Sequence, residues 1–457
     1  MRVRASTVFA CQSCGSVSPK WLGRCADCGE WNTYVEESRA EASRAATGTT
    51  ASIAYPIGEV PARVEERTST TLPGLDRVLG GGLVPGSLVL LGGEPGIGKS
   101  TLLLQAGRGV AAQGAGQVLY ASAEESPAQV RLRAERLGVL EPNLLVVAET
   151  DVSRIIAAAS ERRPRLLVVD SIQAVRDPGL SSAAGTVSQV REAGSALARF
   201  AKTQAVPVVL IGHVTKDGSL AGPKSLEHLV DAVIGVEGER SSFRRILRAT
   251  KNRFGAVEEM ALYEMTGEGL AEIANPSQAL LAERRGGLPG SVVTATREGT
   301  RSVLAEIQAL VGSPTAGSPR RVAIGLDPGR LALLLAVLEN AGVGLATREV
   351  FVSCAGGLDV AEPAADLAIV AALVSSFRGR PVPEGAVVFG EIGLLGEVRR
   401  VPAAAARIRE ATGLGFRRVY LPSGDAGEAA GFADLEVRPI DRVAQFVQEL
   451  GGPERRG

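Results

Sequence analysis

The sequence predicts an α/β protein in which a small cysteine module precedes a mostly parallel sheet and a second α/β domain follows it. Between about 68 and 272, short β-branched runs alternate with longer helical segments rich in alanine, leucine and arginine. Similar runs resume near 276, and four of the five cysteines lie within the first 28 residues. The 457 residues are enough for several domains, which we place at 1–33, 34–67, 68–275 and 276–457.

The charge balance excludes a generally basic nucleic-acid binder. Lysine plus arginine number 50, as do aspartate plus glutamate, so any contact with DNA has to use local patches. Apolar residues make up 45% of the chain, which is typical of a folded globular protein. No apolar run reaches the roughly 18 residues of a membrane helix, and the N-terminus lacks the apolar stretch of a signal peptide. We therefore expect a cytoplasmic protein with no membrane contact.

The cysteine module is predicted to be a zinc finger that holds one structural ion. Two CxxC pairs, ten residues apart, can present four thiolates to a tetrahedral Zn²⁺, and a glycine follows each pair where a tight turn is needed. A redox dithiol is the alternative, but thiol exchange does not require two matched pairs. Trp21 and Trp31 are expected to cover the small core, and 34–67 is expected to be a flexible linker. The predicted zinc ligands are Cys11, Cys14, Cys25 and Cys28.

A phosphate-binding loop follows the first strand of the α/β region. The apolar run SLVLLG leads into GEPGIGKST and then into the helical LLLQAGRGVAA, so a Walker A sequence stands in its strand–loop–helix setting. Glycines allow backbone N–H groups to face the phosphates of ATP, Lys99 neutralises the β and γ charge, and the Ser100 hydroxyl binds Mg²⁺. The predicted nucleotide-binding residues are Gly93, Glu94, Pro95, Gly96, Ile97, Gly98, Lys99, Ser100 and Thr101.

Polar residues at the ends of three other strands complete the predicted ATPase site. Asp170 ends the run LLVVD, as in a Walker B strand, where its carboxylate holds Mg²⁺ through water. Glu124 or Glu125 is the candidate base for the attacking water, because RecA-like ATPases keep a carboxylate there; a solvated acidic pair that opens a helix is the alternative. His213 ends VPVVLIGH, where RecA-like folds place a γ-phosphate sensor, unless it is a structural histidine bonded to the backbone.

The order of these motifs resembles the bacterial RadA family, also called Sms. The resemblance is carried by the cysteine module, SAEES, VVDSIQ and, most specifically, the pentapeptide KNRFG. It covers essentially the whole chain, including TLPGLDRVLGGGLVPGS, which is similar to the segment before Walker A in RecA and KaiC-like ATPases. It implies a hexameric, DNA-stimulated ATPase that uses ATP, Mg²⁺ and Zn²⁺ and promotes branch migration of recombination intermediates with the RecA recombinase. The pentapeptide comprises Lys251, Asn252, Arg253, Phe254 and Gly255.

Two basic segments are candidates for contact with DNA. By the resemblance, Lys251 and Arg253 couple ATP hydrolysis to work on DNA. Two cations this close along the chain can reach a neighbouring subunit's γ-phosphate or a DNA backbone, and a solvated basic turn is the alternative. The Gly-rich stretch 216–227 lies where RecA-like proteins keep mobile DNA-binding loops. Lys216 and Lys224 are expected to contact DNA phosphates there, unless the stretch is an ordinary surface loop.

The C-terminal part is similar to the Lon protease domain. Its GEIGLLGEV looks like the strand before Lon's catalytic lysine, and its EPAAD looks like Lon's serine loop. Ala364 stands at the serine position and Ala405 at the lysine position, so no Ser-Lys dyad is expected. Cys354 is expected to be a buried apolar residue. We expect a scaffold that assembles the ring and offers four arginines to DNA, unless they form a solvated helix face: Arg399, Arg400, Arg407 and Arg409.

Two other classes of protein share parts of this pattern. A Lon-like ATP-dependent protease would need the nucleophile and the base that the two alanines replace. A KaiC-like regulatory or kinase ring would have no need of a zinc module or of KNRFG. Both alternatives are therefore weaker than a DNA-dependent ATPase motor.

Overall fold

The computed structural model describes residues 5–13, 15–40, 56, 66–114, 116–213, 224–238, 243–257, 259–314 and 317–451. The chain divides into two units, 1–272 and 273–457, whereas the predicted boundary lies between 275 and 276. In the described part of the chain, no helix is both long and apolar enough to cross a lipid bilayer.

The cysteine module is an antiparallel sheet of three strands, β1 (Ala5–Cys11), β2 (Val17–Ser18) and β3 (Tyr34–Ala40), in the order β2-β1-β3. β3 pairs with β1 along its whole length, from Cys11 opposite Tyr34 to Ala5 opposite Ala40. The sheet of the module therefore extends past the predicted boundary at residue 33, because the strand that closes it begins at the next residue.

The core of this module consists of Cys11, Cys25 and Tyr34, with Phe9 and Leu22 packed against them. The expectation that the two tryptophans cover the core is wrong. The residue Trp21 is 52% exposed and Trp31 is 67% exposed, because the small core is already closed by the tyrosine, the leucine and the phenylalanine.

The described part of the first unit contains one nine-stranded sheet flanked by helices. Its strands are β4 (Leu88–Gly93), β5 (Val118–Ser122), β6 (Leu144–Ala148), β7 (Leu166–Asp170), β8 (Val208–His213), β9 (Ala232–Glu237), β10 (Arg244–Asn252), β11 (Met260–Thr266) and β12 (Gly269–Glu272). Its helices are α1 (Pro73–Val78), α2 (Lys99–Ala112), α3 (Pro127–Arg136), α4 (Val152–Arg162), α5 (Val187–Gln204) and α6 (Lys224–Leu229).

The strand order is β12-β11-β10-β9-β4-β8-β7-β5-β6. β4 to β9 run parallel to one another, and β10 to β12 extend the sheet as an antiparallel meander. Alternate residues of β4 enter two different cores, with Val89 and Leu91 on one face and Leu88 and Leu90 on the other. The strand β4 is therefore apolar on both faces, as expected for a parallel sheet covered by helices on both sides, and the predicted parallel-rich α/β class is confirmed.

The second unit is built on a seven-stranded mixed sheet in the order β15-β16-β14-β13-β17-β20-β21, with a separate pair β18-β19. The strands are β13 (Ser291–Glu298), β14 (Arg301–Pro314), β15 (Arg321–Ile324), β16 (Arg348–Cys354), β17 (Ala386–Val388), β18 (Glu391–Ile392), β19 (Val398–Arg399), β20 (Arg418–Pro422) and β21 (Glu436–Ile440). The helices are α7 (Pro276–Leu281), α8 (Pro328–Asn340), α9 (Asp366–Arg378), α10 (Ala404–Gly413) and α11 (Val443–Gly451).

One member of the predicted DNA-facing arginine strip lies inside this unit. Arg407, on α10, has no exposed surface, and its guanidinium donates to both carboxylate oxygens of Glu362, each at 2.7 Å. It also donates to the carbonyls of Ala295 and Pro402. Its assignment to a DNA-binding strip is therefore wrong, because its side chain has no exposed surface and four of its five guanidinium N–H groups donate to acceptors within this unit.

The other three arginines of the strip are exposed. Arg399 pairs with Glu397 and Arg400 with Asp425, so two of these charges already have carboxylate partners. Cys354 is 4% exposed at the end of β16, as expected for a small apolar residue, and its burial raises the pKa of the thiol to about 12.

Candidate nucleotide site and metal centre

β4 and α2 position the predicted phosphate loop at the carboxyl end of the central strand. Gly96 and Gly98 have φ values of 80° and 116°, a region that favours glycine, so the loop can turn its backbone toward an anion before α2 begins. Lys99 is the first residue of α2, and its Nζ donates to the carbonyls of Gly93 at 2.7 Å and Glu94 at 2.8 Å. The ammonium is thus held at the mouth of the loop.

Burial has a direct effect on this lysine. Lys99 is 4% exposed, and burial lowers its pKa to about 8, against the opposing effect of nearby carboxylates, led by Asp170 and Glu124. A phosphate placed beside the ammonium would favour its protonated form, because a nearby opposite charge stabilises the ionised state. Anion binding at this loop is therefore coupled to the protonation of the lysine.

Asp170 and Glu124 lie on the same side of this loop. The hydroxyl of Tyr120, on β5, donates to a carboxylate oxygen of Asp170, and burial together with that carboxylate raises the pKa of the tyrosine well above its usual value. The hydroxyl of Ser171 donates to Glu124. Each of the two carboxylates is therefore oriented by a hydroxyl group, and Tyr120 is a positioning residue that the sequence analysis missed.

The structure separates the two candidate bases. Glu125 forms an ion pair with Arg133, whose Nη2 lies 2.5 Å from its Oε1, and its backbone N–H donates to the hydroxyl of Ser122. Of these two glutamates, Glu124 is the one whose charge opposes the lowering of the pKa of Lys99, after the larger effect of Asp170. Glu124 is therefore the better candidate for a group near the phosphates, and Glu125 for a group that holds an arginine.

A single cavity of about 390 Å³ brings most of the predicted residues together. Two arginines from α3, which the sequence analysis did not single out, complete its lining. α3 begins with a capping box between Ser126 and Gln129, and this fixes the direction in which the helix leaves the carboxyl edge. The residues that line the cavity are Pro95, Gly96, Gly98, Lys99, Ser100, Thr101, Ser122, Glu124, Glu125, Arg133, Arg136 and Asp170.

This donor set fits Mg²⁺ and a nucleotide. The Ser100 hydroxyl and the Asp170 carboxylate are the hard oxygen ligands that Mg²⁺ prefers, and glycine-rich backbone and a lysine face the same space. His213 ends β8 directly beside Gly93, at the same edge of the sheet. The side chains of His213 and Lys224 and all of Lys216 lie outside the described residues, so their predicted roles stay predictions.

The KNRFG pentapeptide lies at the opposite edge of the sheet. Its Asn252 pairs with Ala232, which pairs with Val89 near the amino end of β4, whereas the phosphate loop leaves the carboxyl end after Gly93. At about 3.3 Å per residue, these two levels are roughly 13 Å apart. The pentapeptide therefore faces away from the phosphates that its own chain would bind.

Each member of the pentapeptide has a distinct contact. Nζ of Lys251 donates to the carbonyls of Glu227 and Val230 at the end of α6. Arg253 pairs with Asp231 at 3.0 Å, and its side chain is 53% exposed. The remaining contacts join the turn to α1 and to the residues on either side of that helix. The side chain of Asn252 donates to the carbonyl of Val78, Arg67 donates to the carbonyl of Phe254, and a Cβ on Gly255 would lie 2.7 Å from the Cα of Gly80.

The cysteine module presents a candidate metal centre. The sulfur atoms of Cys11, Cys25 and Cys28 lie within 4.8 Å of one another, with Cys11 and Cys28 at 3.7 Å. A tetrahedral zinc ion with Zn–S bonds of about 2.3 Å requires sulfurs about 3.8 Å apart. Gly15 and Gly29 have φ values of 75° and 76° and close the two turns. Cys14, the fourth predicted ligand, lies outside the described residues.

Comparisons with known proteins identify relatives of both regions of the chain and of the chain as a whole. A family model described as an AAA domain matches 55–219, and one described as a rubredoxin metal binding domain matches 9–36. The DNA repair protein RadA of Bacillus subtilis is 48% identical over 98% of this chain and 100% of that protein, and that of Pseudomonas aeruginosa is 47% identical over 98% and 99%. A crystal structure of the RadB recombinase covers 45% of this chain and 99% of its own, with 24% identity and a TM-score of 0.37.

The fold and the two sites define a P-loop ATPase that carries a zinc ribbon. The two RadA proteins are aligned over nearly the whole chain and are identical to it at almost half of the positions. The chain therefore belongs to the RadA family of DNA repair proteins.

Proposed function

We propose that this protein is a DNA-dependent ATPase motor that promotes branch migration of recombination intermediates on single-stranded and branched DNA, together with the RecA recombinase. Its working form is a homo-oligomeric ring, of hexameric size by the family resemblance, in the cytoplasm. The ring hydrolyses ATP, with Mg²⁺ at the nucleotide and Zn²⁺ in the cysteine module. The second unit is a Lon-like scaffold without protease activity, since Ala364 and Ala405 carry only methyl groups where a nucleophile and a base would be needed.

The observation that carries this proposal is a continuous stretch of chain that leads to the pentapeptide from the carboxyl ends of the parallel strands. These strand ends, where the phosphate loop lies, form the ATP edge of the sheet. β8 lies beside β4 and ends at His213, level with the start of the phosphate loop. The candidate DNA segment, residues 216–227, begins three residues after His213, and its last four residues form the start of α6. Lys251 contacts the carbonyls at the end of that helix. A displacement of the DNA segment can therefore reach Lys251 through one short helix.

The residues of the cavity have separate roles in the proposed hydrolysis. Lys99 exchanges its two carbonyl contacts for phosphate oxygens. Ser100 and Asp170 would hold Mg²⁺, which would neutralise charge on the phosphates. Glu124 accepts the proton of the attacking water, with its carboxylate oriented by Ser171.

Arg253 has two candidate targets. Its exposed side chain lies at the wrong edge for its own chain's phosphates, so it is available to the nucleotide of a neighbouring subunit or to a DNA backbone. In the first case, a mixture of Arg253→Ala and Lys99→Ala chains regains ATP turnover where an intact arginine faces an intact loop. In the second case, Arg253→Ala lowers the slope of log affinity against log salt by about one unit.

The proposal is tested by branch migration of a RecA-generated joint molecule, followed as the conversion of a labelled strand to product. We expect conversion with wild-type protein and ATP, and none with Lys99→Ala, which removes a charge from a loop without opening a core cavity. Casein degradation, measured in parallel, is expected to be absent. Equal conversion by the wild type and Lys99→Ala, or ATP-dependent proteolysis, would contradict the proposal.

A further inference from the structure

The cysteine module presents a pair of exposed aromatic rings that the proposed motor does not use. Trp21 and Trp31 are each more than half exposed. A Cβ placed on Gly23 would lie 3.7 Å from the ring of Trp21 and 4.0 Å from the ring of Trp31. The six-membered rings of both indoles therefore lie beside the same glycine, and neither tryptophan belongs to the core that closes around the cysteines.

A cation accompanies the rings. The guanidinium carbon of Arg24 lies 5.8 Å from the ring centre of Trp31, and the Nε of Arg24 is fixed by a 2.9 Å bond to the carbonyl of Gly29. Arg24 and Trp31 also pair across an antiparallel bridge. Indole faces with an adjacent guanidinium are the combination on which unstacked bases are held in single-strand binding proteins.

The module lies at the ATP edge of the first unit. Nη1 of Arg191 donates to the carbonyl of Gly15 at 2.9 Å, and Val187 packs against the same glycine. Both residues belong to the first turns of α5, which connects β7 to the parallel β8 and so begins at the carboxyl edge of these strands. This is the edge from which the phosphate loop and the candidate DNA segment leave the sheet.

We propose that Trp21 and Trp31 form a stacking platform for bases of single-stranded DNA. The two rings receive bases of a single strand, and Arg24 supports the ring of Trp31. Nothing in the proposed motor function requires this site. It would place a single strand beside the ATP edge of the sheet.

The charges of the module indicate that stacking, not phosphate contact, dominates. Among residues 8–13 and 15–36, whose side chains the structure describes, Lys20 and Arg24 stand against Asp27, Glu30 and Glu36. This part of the module therefore carries no excess of positive charge that would attract a DNA backbone, so its affinity for bases has to come from the rings. A hydrophobic protein surface is the competing interpretation, and the guanidinium of Arg24 against Trp31, beside a second exposed indole, favours bases over it.

The two tryptophans are the only ones in the chain, so intrinsic tryptophan fluorescence reports on this site alone. We expect oligo(dT) to quench the fluorescence of the full-length protein, and duplex DNA of the same length to quench it far less. A strand that carries 5-iodouracil should cross-link on irradiation to Trp21 or Trp31, as mapped by mass spectrometry. Because this experiment uses the wild-type protein, it does not depend on the stability of any variant.

Substitutions then measure the contribution of each ring. Trp31→Ala and Trp21→Ala are each expected to weaken single-strand binding roughly ten-fold, within the range for base–aromatic stacking, with no change in salt slope. Trp31→Phe should keep part of the affinity, and Val35→Ala, at a 51% exposed residue of the same module, should keep all of it. Zinc content, measured on each variant, verifies that the module is folded.

Unchanged fluorescence with oligo(dT), or cross-links that map only elsewhere, would overturn the platform. Quenching by RecA but not by DNA would overturn it in favour of a protein-docking surface. These outcomes are distinct from a failure of the motor. A wild-type protein whose ATP turnover responds to DNA while its tryptophans do not would retain the motor and lose the platform.

Discussion

The choice between the two adjacent glutamates gives the sharpest prediction about catalysis. Glu124→Gln removes a carboxylate that is oriented by Ser171 and that acts on Lys99, while it keeps the size of the side chain. A general base contributes about 10²- to 10⁴-fold to the rate of a reaction, and we expect a loss of kcat in this range. The affinity for ATP should change little, because Lys99 and the loop backbone remain.

Glu125→Gln is the matched control, since it makes the same chemical change one residue later. The side chains of Arg133 and Glu125 are 25% and 32% exposed, and ion pairs with this degree of solvent contact contribute at most about 1 kcal/mol. Even if the loss of this ion pair raised the activation free energy by the full amount of about 1 kcal/mol, kcat would fall only about five-fold.

The assay is ATP turnover at saturating ATP and Mg²⁺ in the presence of single-stranded DNA, with the binding of a fluorescent ATP analogue measured separately. We expect a ratio of at least twenty between the two variants. A larger loss of kcat in Glu125→Gln than in Glu124→Gln would refute the assignment. Glu125 would then be the base, and its ion pair with Arg133 would be a contact of the nucleotide-free protein that breaks before hydrolysis.

Three further predictions concern pH, zinc and the buried arginine. Because the pKa of Lys99 is lowered to about 8 and bound phosphate favours the ammonium, ATP affinity should be constant below pH 8 and fall by up to about ten-fold per unit above it; a flat profile to pH 9.5 would contradict this. Cys28→Ala should release one zinc per chain and change tryptophan fluorescence while the helical circular dichroism of the ATPase unit persists; retained zinc would disprove the site. Arg407→Met should lower the free energy of unfolding by about 3 kcal/mol, and Glu362→Met added to it should restore much of the loss; a change below 1 kcal/mol would contradict the buried pair.

Local sequence was sufficient for the parts of the site that lie on one strand–loop–helix unit. The Walker A loop follows its strand directly, so its neighbours along the chain are also its neighbours in space. Asp170 and Glu124 were found because parallel strands bring their carboxyl ends to one edge. The same rule places the end of β8 beside Gly93.

Contacts between distant segments were not accessible in this way. Arg133 reaches the cavity only through the direction of α3, and Tyr120 reaches Asp170 only because β5 and β7 are adjacent in the sheet. Arg407 looked like a surface arginine because α10 has charges on several sides. Its burial depends on Glu362, 45 residues earlier in the chain.

The cysteine module shows how size limits such predictions. A tryptophan is usually assigned to the core, but this core is filled by Tyr34, Leu22 and Phe9 around the cysteines. The interior of a module this small does not have room for all of its aromatic side chains. The two surplus rings are therefore on the surface, and this is the feature from which the stacking platform is inferred.

The central claim, that ATP hydrolysis is coupled to DNA through the pentapeptide, is tested most directly by ATP turnover with and without single-stranded DNA in Lys251→Met. Lys202→Met, an exposed lysine on α5, is the control for the loss of one cation. We predict that wild type and Lys202→Met respond to DNA, whereas Lys251→Met binds ATP and keeps its basal turnover but does not respond. Wild-type stimulation in Lys251→Met, or no stimulation of the wild type itself, would contradict the account.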